Sequence, residues 1–251
     1  MAGNILELRN NPVLSVVIPV YNDANGLRSA ILASLTVLES IGIPFEILIV
    51  ADASTDDTRK VAEEFVLVDS RIILDHSDVR RGKGGALMDA LCKSHGEIFC
   101  FYDVDLSTDL AHLCDFIEKV YTGADIVIGS RTLPGSSVMR CRDRDLTSKG
   151  FNGLVRLLLG SQIQDHQCGF KSFRKDRLME LAPYIHTRDW LWDTEVLVLA
   201  QQCGYRIFEF PVTWRQGDNT CLKISDIFSM GLGIIQLTWR IRVMHDYPNF
   251  A

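Results

Sequence analysis

The sequence predicts an α/β fold, a mixed but mostly parallel sheet flanked by helices, on three observations. Short β-branched runs recur through the first half: "LSVVIPV" (14–20), "FEILIV" (45–50), "RIILD" (71–75), "EIFCFYD" (97–103) and "ADIVIGS" (124–130). Segments with helical spacing separate them, at 24–41, 56–68, 84–94 and 109–122. The runs are apolar throughout rather than alternating, as expected of strands covered on both faces.

After Arg131 the character changes. Residues 132–148, "TLPGSSVMRCRDRDLTS", are polar and marked by Gly and Pro, and read as a loop. A helix is expected over 149–160, a strand at "CGFKSFR" (168–174) and a short helix over 175–182. "WDTEVLVLAQQCG" (192–204) reads as a helix stopped by Gly204, and "YRIFEFPVTW" (205–214) alternates like a strand. No repeat, low-complexity stretch or linker divides the chain, so one domain is expected over 1–251.

Composition narrows the function. The 251 residues are 47% apolar and 23% charged, with a net charge of −6. A mildly acidic chain without a Lys/Arg block is not expected to bind nucleic acid. Seven cysteines, at 92, 100, 114, 141, 168, 203 and 221, form no C-x-x-C pair and read as reduced thiols in a cytoplasmic protein. "MAGNILELRNNPVLSVV" lacks the basic start and long apolar core of a signal peptide. No run of apolar residues is long enough to predict a spanning helix.

The chemistry gathers just past the predicted strands, where ligands bind in open α/β sheets. Asp52, Asp103, Asp105 and Arg131 all fall there. In "CFYDVDLSTDL" (100–110) two acids follow a buried strand, and each loses hydration and raises the other's cost. A Mg²⁺ or Mn²⁺ ion bridging to substrate phosphates would offset them. The alternative is a solvated loop or helix caps, with Ser107 and Thr108 as candidate N-caps.

"VADASTDDT" (50–58) carries a capping-box spacing, Ser54 to Asp57, which leaves Asp52 on the ligand side to accept hydrogen bonds from a base or ribose. "RRGKGGALMDAL" (80–91) sets Arg80, Arg81 and Lys83 before a helix, where the dipole disfavours cations. Either an anion lies nearby or the segment is a solvated turn. Neither a Walker A loop nor a G-x-G-x-x-G after the first strand is present. "QDHQCGFK" (164–171) holds Asp165, His166 and Lys171, without a second ligand pair for zinc. "RDWLWDTEVL" (188–197) places Trp190 and Trp192 beside Asp193 and Glu195, which suits a sugar or an aromatic core edge.

Together these motifs resemble the inverting family 2 glycosyltransferases of GT-A, Rossmann-like fold, and most closely the dolichyl- and polyprenyl-phosphate β-glucosyltransferases, over about 13–243. "VVIPVYND" is similar to the family's opening strand, which implies that Pro19, Tyr21 and Asp23 face the nucleotide. "VADASTDDT" resembles V-D-D-G-S-x-D with Ala51 in place of the first Asp, so Asp52 carries base or ribose recognition. "RGKGGAL", "DVDLST", "GSR", "DHQCGFK", "WDTEVL" and "PVTW" follow in family order. The resemblance implies a nucleotide-binding half over about 13–131 and an acceptor-side half over about 132–243.

It implies a nucleotide-diphosphate sugar donor, UDP-glucose first, with the metal on Asp103 and Asp105. Lys83, Arg131 and Lys223 are its phosphate-side candidates. The acceptor is a lipid phosphate, which attacks as an anion, or a hydroxyl, which needs a carboxylate base such as Asp193 or Asp165. "SDIFSMGLGIIQLTWRIRV" (225–243) suits an amphipathic helix on an anionic membrane or a helix docked on the protein's own core. A cytoplasmic protein with peripheral membrane contact is the expectation.

Overall fold

The computed structural model describes residues 12–139, 142–216 and 224–244. A seven-stranded sheet runs in the order β3-β2-β1-β4-β7-β5-β8. Its strands are β1 (Leu14–Val20), β2 (Phe45–Asp52), β3 (Ile72–Ser77), β4 (Ile98–Tyr102), β5 (Ile126–Ser130), β7 (Phe170–Arg174) and β8 (Ile207–Pro211). All neighbours pair in parallel except β7, which runs antiparallel between β4 and β5. A strand from the later half of the chain is thus inserted into the sheet built by the first, and both halves share one core.

The unbroken apolar runs have the burial that they predict. Along β1 and β2, Val17, Leu48 and Val50 face one apolar layer, and Val16, Ile18, Ile47 and Ile49 face the other. The second layer is completed by α1 (Ala24–Ile41), α2 (Thr58–Val68) and α4 (Leu113–Tyr121). The first is completed by α3 (Gly82–Lys93), α5 (Arg142–Leu159), α6 (Lys175–Leu181), α7 (Trp192–Gln202) and α8 (Ile224–Trp239). Helix α1 shows how local sequence sets the bounds: Asp23 caps its N-terminus through Gly26 N, and Gly42 ends it at φ 74°.

Three local expectations are corrected. The 132–148 segment is not all loop. Ser137–Met139 is strand β6, paired in parallel with β9 (Thr213–Arg215), a partner that no local pattern reveals. From Arg142 the chain is already helical, because Phe151, Val155 and Leu159 bury one stripe of α5 and carry the helix back through a polar start. The single strand expected over 205–214 is two, broken between Pro211 and Thr213, where the chain passes from the main sheet to the β6-β9 pair.

The expected caps are also replaced. Ser54 accepts from Asn22 N rather than from its own helix, and Asp57, the N-cap residue of α2, makes no side-chain cap. Asp56 accepts from Thr58 N instead. Asp109, not Ser107 or Thr108, caps the next turn through Ala111 N.

Helix α8 and the π-helical turn Arg240–Met244 that continues it dock on the core through Ile234, Leu237 and Ile241. Arg240, expected at a membrane surface, turns inward and donates to the fully buried Glu195 at 2.7 Å. On its outer side Leu232, Ile235, Trp239 and Val243 are each more than half exposed. Their spacing of three, four and four residues is one helical stripe. Among the described residues no helix is long and apolar enough to cross a membrane.

Candidate active site

The carboxyl ends of β1, β2, β4 and β5 form a rim that carries most of the sequence-derived candidates. Three of its turns pass through the left-handed region at non-glycine residues: Asn22 (φ 51°), Ala53 (φ 58°) and Leu106 (φ 49°). Such a backbone costs about 1–2 kcal/mol at Ala or Leu. Around Leu106 the turn is held by Leu106 N donating to Asp103 O, which sets Asp103 and Asp105 on one tight loop after β4.

Asp105 is exposed, and its carboxylate accepts from Ser107 N at 3.0 Å and Ser107 Oγ at 2.6 Å. Asp103 is half-buried, and its Oδ1 accepts from Lys83 Nζ at 2.8 Å. Among the described residues its Oδ2 accepts no hydrogen bond. Gly169 backs this oxygen, and a Cβ there would collide with it. The Gly in "CGFK" is therefore a requirement of close approach. No group of three or more His, Cys, Asp or Glu exists among the described residues that could hold a metal. Two hard carboxylates with an open side fit a Mg²⁺ or Mn²⁺ ion whose other ligands come from phosphate and water.

The basic cluster ahead of α3 faces acids of the protein itself. Asp52 is 4% exposed, and its two oxygens accept from Arg81 N at 2.7 Å and Gly82 N at 3.0 Å, capping α3. Arg81 also meets Asp75 and Asp89, each at 3.0 Å. Arg80 donates to Asp52 O and lies 3.5 Å over the ring of Tyr21. So Asp52, expected to read base or ribose, is committed to the fold, and Asp23 serves α1. Pro19, half-buried, and Tyr21, half exposed, lie at the end of β1.

Lys83 stands between Asp103 and Asp193, the latter 3.6 Å away at Oδ2. Burial works against its ammonium, but the two carboxylates outweigh it and hold the group above the ordinary lysine range. The rings of Phe101 and Trp190 flank it, each at 5.1 Å. Asp193 is 3% exposed and accepts from Lys171 Nζ at 2.6 Å. Lys171, itself fully buried, also donates to Cys168 O. Of the two tryptophans expected near a sugar, Trp192 is core and Trp190 is 60% exposed beside Lys83.

Arg131 follows β5, and Asp165 takes its N, Nε and NH2 at 2.7–2.9 Å. Burial would raise the Asp165 carboxyl, but the Arg131 charge and hydrogen bonds prevail and lower it. The guanidinium packs over Trp214 at 5.5 Å and is close enough to Asp103 to feel its charge. Beside Asp165, His166 is pushed by burial to a pKa of about 4, and both its ring nitrogens are taken, Nδ1 by Asn152 Oδ1 and Nε2 by Ser161 Oγ, which leaves neither for zinc. Lys223 lies outside the described residues.

The rim thus brings together Asp103, Asp105, Lys83, Asp193 and Arg131. The reading of the sequence quoted Lys171, Gly169 and Trp214 within "DHQCGFK" and "PVTW" but gave none of them a role in it. A lysine within the strand-like run "CGFKSFR" was the available signal for Lys171.

The profile described as glycosyl transferase family 2 matches residues 15–182. Glycosyltransferase AglD of Haloferax volcanii is 39% identical over 235 residues, which cover 92% of this chain and 38% of that relative. Dolichyl-phosphate β-glucosyltransferase of Saccharomyces cerevisiae is 31% identical over 256 residues, covering 93% of this chain and 77% of its own. Glucosyl-3-phosphoglycerate synthase of Mycobacterium tuberculosis, in complex with Mn²⁺, UDP and phosphoglyceric acid, superposes with a TM-score of 0.67 at 18% identity, over 95% of this chain and 81% of that one. At that identity the likeness is one of fold, the GT-A arrangement of sheet and helices.

Proposed function

The chain belongs to glycosyl transferase family 2, and from that premise we propose that it moves a hexose, glucose from UDP-glucose, onto a polyprenyl or dolichyl phosphate with inversion and with the help of a divalent metal. The observation that carries the choice of acceptor is the state of the two candidate bases. Asp165 is fully buried, bidentate to Arg131 and held acidic. Asp193 is bound between two lysines. A hydroxyl acceptor needs a carboxylate free to take its proton. A phosphate acceptor is already an anion and needs none, and locked carboxylates are consistent with it.

Asp103 Oδ2 and Asp105 are the groups to hold a Mg²⁺ or Mn²⁺ ion, which when bound supplies positive charge for the departing diphosphate. Arg131, oriented through three bonds to Asp165, adds a fixed positive charge beside that position. Lys83 supplies a second, from the start of α3. Trp190, exposed next to Lys83, offers a flat apolar face to the transferred sugar. The printed names of the yeast relative and of the mycobacterial structure support the lipid phosphate and the UDP with Mn²⁺ respectively. The exposed stripe on α8 suits contact with the surface of the membrane that holds such a lipid.

Transfer of radiolabelled glucose from UDP-glucose into organic-extractable material, with and without added polyprenyl phosphate, tests the reading. Label in the organic phase only when the lipid is present is the expected result. Nucleotide release with all label in water-soluble glycan points to a hydroxyl acceptor instead. Replacing Ile235 and Trp239 by Ser is expected to reduce cosedimentation with anionic vesicles without changing turnover on a detergent-dispersed acceptor.

A further inference from the structure

Asp103, Lys83, Asp193 and Lys171 form an alternating row of charge, with spacings of 2.8, 3.6 and 2.6 Å. Two carboxylates and two ammonium groups cancel, and the inner pair is almost sealed from water. One end of this row is also one half of the Asp103–Asp105 pair. We infer that Lys83 is the built-in counter-cation of that pair, that a divalent ion has to displace it from Asp103 to bind, and that the released ammonium then serves the nucleotide diphosphate. This rests on the metal reading of Asp103 and Asp105 given above.

Three features support the exchange. The ammonium sits on Asp103 Oδ1, so a dication at the same carboxylate meets a like charge at close range. Lys83 has somewhere to go, because Asp193 Oδ2 lies at 3.6 Å on its other side, longer than a formed hydrogen bond, and Phe101 and Trp190 wall the path between the two acids. Asp193 cannot follow Asp103, since Lys171 anchors its other oxygen at 2.6 Å. The consequence is coupled binding. The metal alone competes with Lys83. The metal together with a diphosphate does not, because the diphosphate gives the displaced ammonium a new partner. A positive charge that opposes the first ligand and favours the second makes metal and donor bind together.

The test is the direction of two affinities in Lys83→Met. Mn²⁺ binding without nucleotide, read from the free-ion electron paramagnetic resonance signal, should tighten about tenfold, a change within the range measured for close charge pairs. UDP binding at saturating Mn²⁺, read by calorimetry, should weaken by about tenfold or more. Both affinities moving the same way, or neither moving, overturns the inference and leaves the metal site standing. No Mn²⁺ binding by the wild-type chain, with or without UDP, overturns the metal site and the inference with it. The wild-type chain gives a second reading that needs no substitution. Saturating UDP should tighten its Mn²⁺ binding by about tenfold or more; an unchanged Mn²⁺ affinity overturns the coupled binding.

Discussion

Asp52 ends β2 and Asp103 follows β4, two buried strands on either side of β1 in one sheet, and the structure gives these two acids opposite fates. Asp52 is 4% exposed and places an oxygen on each of two backbone N–H groups at the start of α3. Asp103 is 38% exposed at its side chain, with one oxygen on a lysine and the other clear of protein donors among the described residues. The difference lies in what the next segment brings. After β2 and β3 the chain delivers a helix N-terminus and Arg81, which close the network. After β4 it delivers a tight turn with Asp105, opposite a glycine, which leaves it open. Acids at a rim are ligands only where the fold stops short of satisfying them.

The strongest way to break this comparison is to remove the acid that shares the open turn with Asp103. Asp105→Asn is expected to lower transfer on the order of a thousandfold, about 4 kcal/mol of transition-state stabilisation, with an unchanged circular dichroism spectrum. Near-normal turnover would take Asp105 out of the mechanism.

The closed network behind Arg131 should instead show itself in stability against pH. His166 has its pKa lowered from 6.5 to about 4 by burial, so the unfolded chain binds the extra proton first as pH falls. Its contribution is complete above pH 6.5, declines between 6.5 and 4, and amounts to about 3 kcal/mol at most. Urea unfolding across this window should show that loss in the wild type and a shallower one in His166→Gln; equal slopes would mean that the site admits water.

Asp52→Asn sharpens the contrast. An amide keeps one acceptor and turns a donor toward the other backbone N–H, so stability should fall by about 2 kcal/mol in urea while the KM for the donor stays nearly constant. A large rise in KM at unchanged stability would return Asp52 to the nucleotide. The smallest effect concerns the turn beside it. Ala53→Gly removes the left-handed cost at φ 58° and should raise stability by about 0.5–1 kcal/mol, after the greater entropy of the unfolded glycine chain is counted. No gain would mean that the turn is relaxed by its neighbours.

Much of the fold was legible because its signals are local. The runs at 14–20 and 45–50 are apolar on both faces, and Asp23 and Gly42 punctuate α1 within a few residues of its ends. The strand break at Pro211–Thr213 and the β6-β9 pair were not legible, because their cause is a partner 76 residues away in sequence, Ser137 against Thr213. The family resemblance reached the right rim but not the right pairings. It put Lys83 and Asp52 before the nucleotide and did not show that, within the protein, Lys83 pairs with Asp103 and Asp52 caps α3.

By itself the sequence determined the alternation of strands and helices, the placing of acids and bases after strand ends, and the family. These depend on side-chain period and on neighbours along the chain. Only the tertiary structure decided which charge meets which. Lys83 reaches Asp103 across 20 residues, Arg81 reaches Asp52 across 29 and Arg131 reaches Asp165 across 34. Sheet order and the insertion of β7 set those meetings, and a carboxylate's chemistry follows from the partner it is given, not from its place in the sequence.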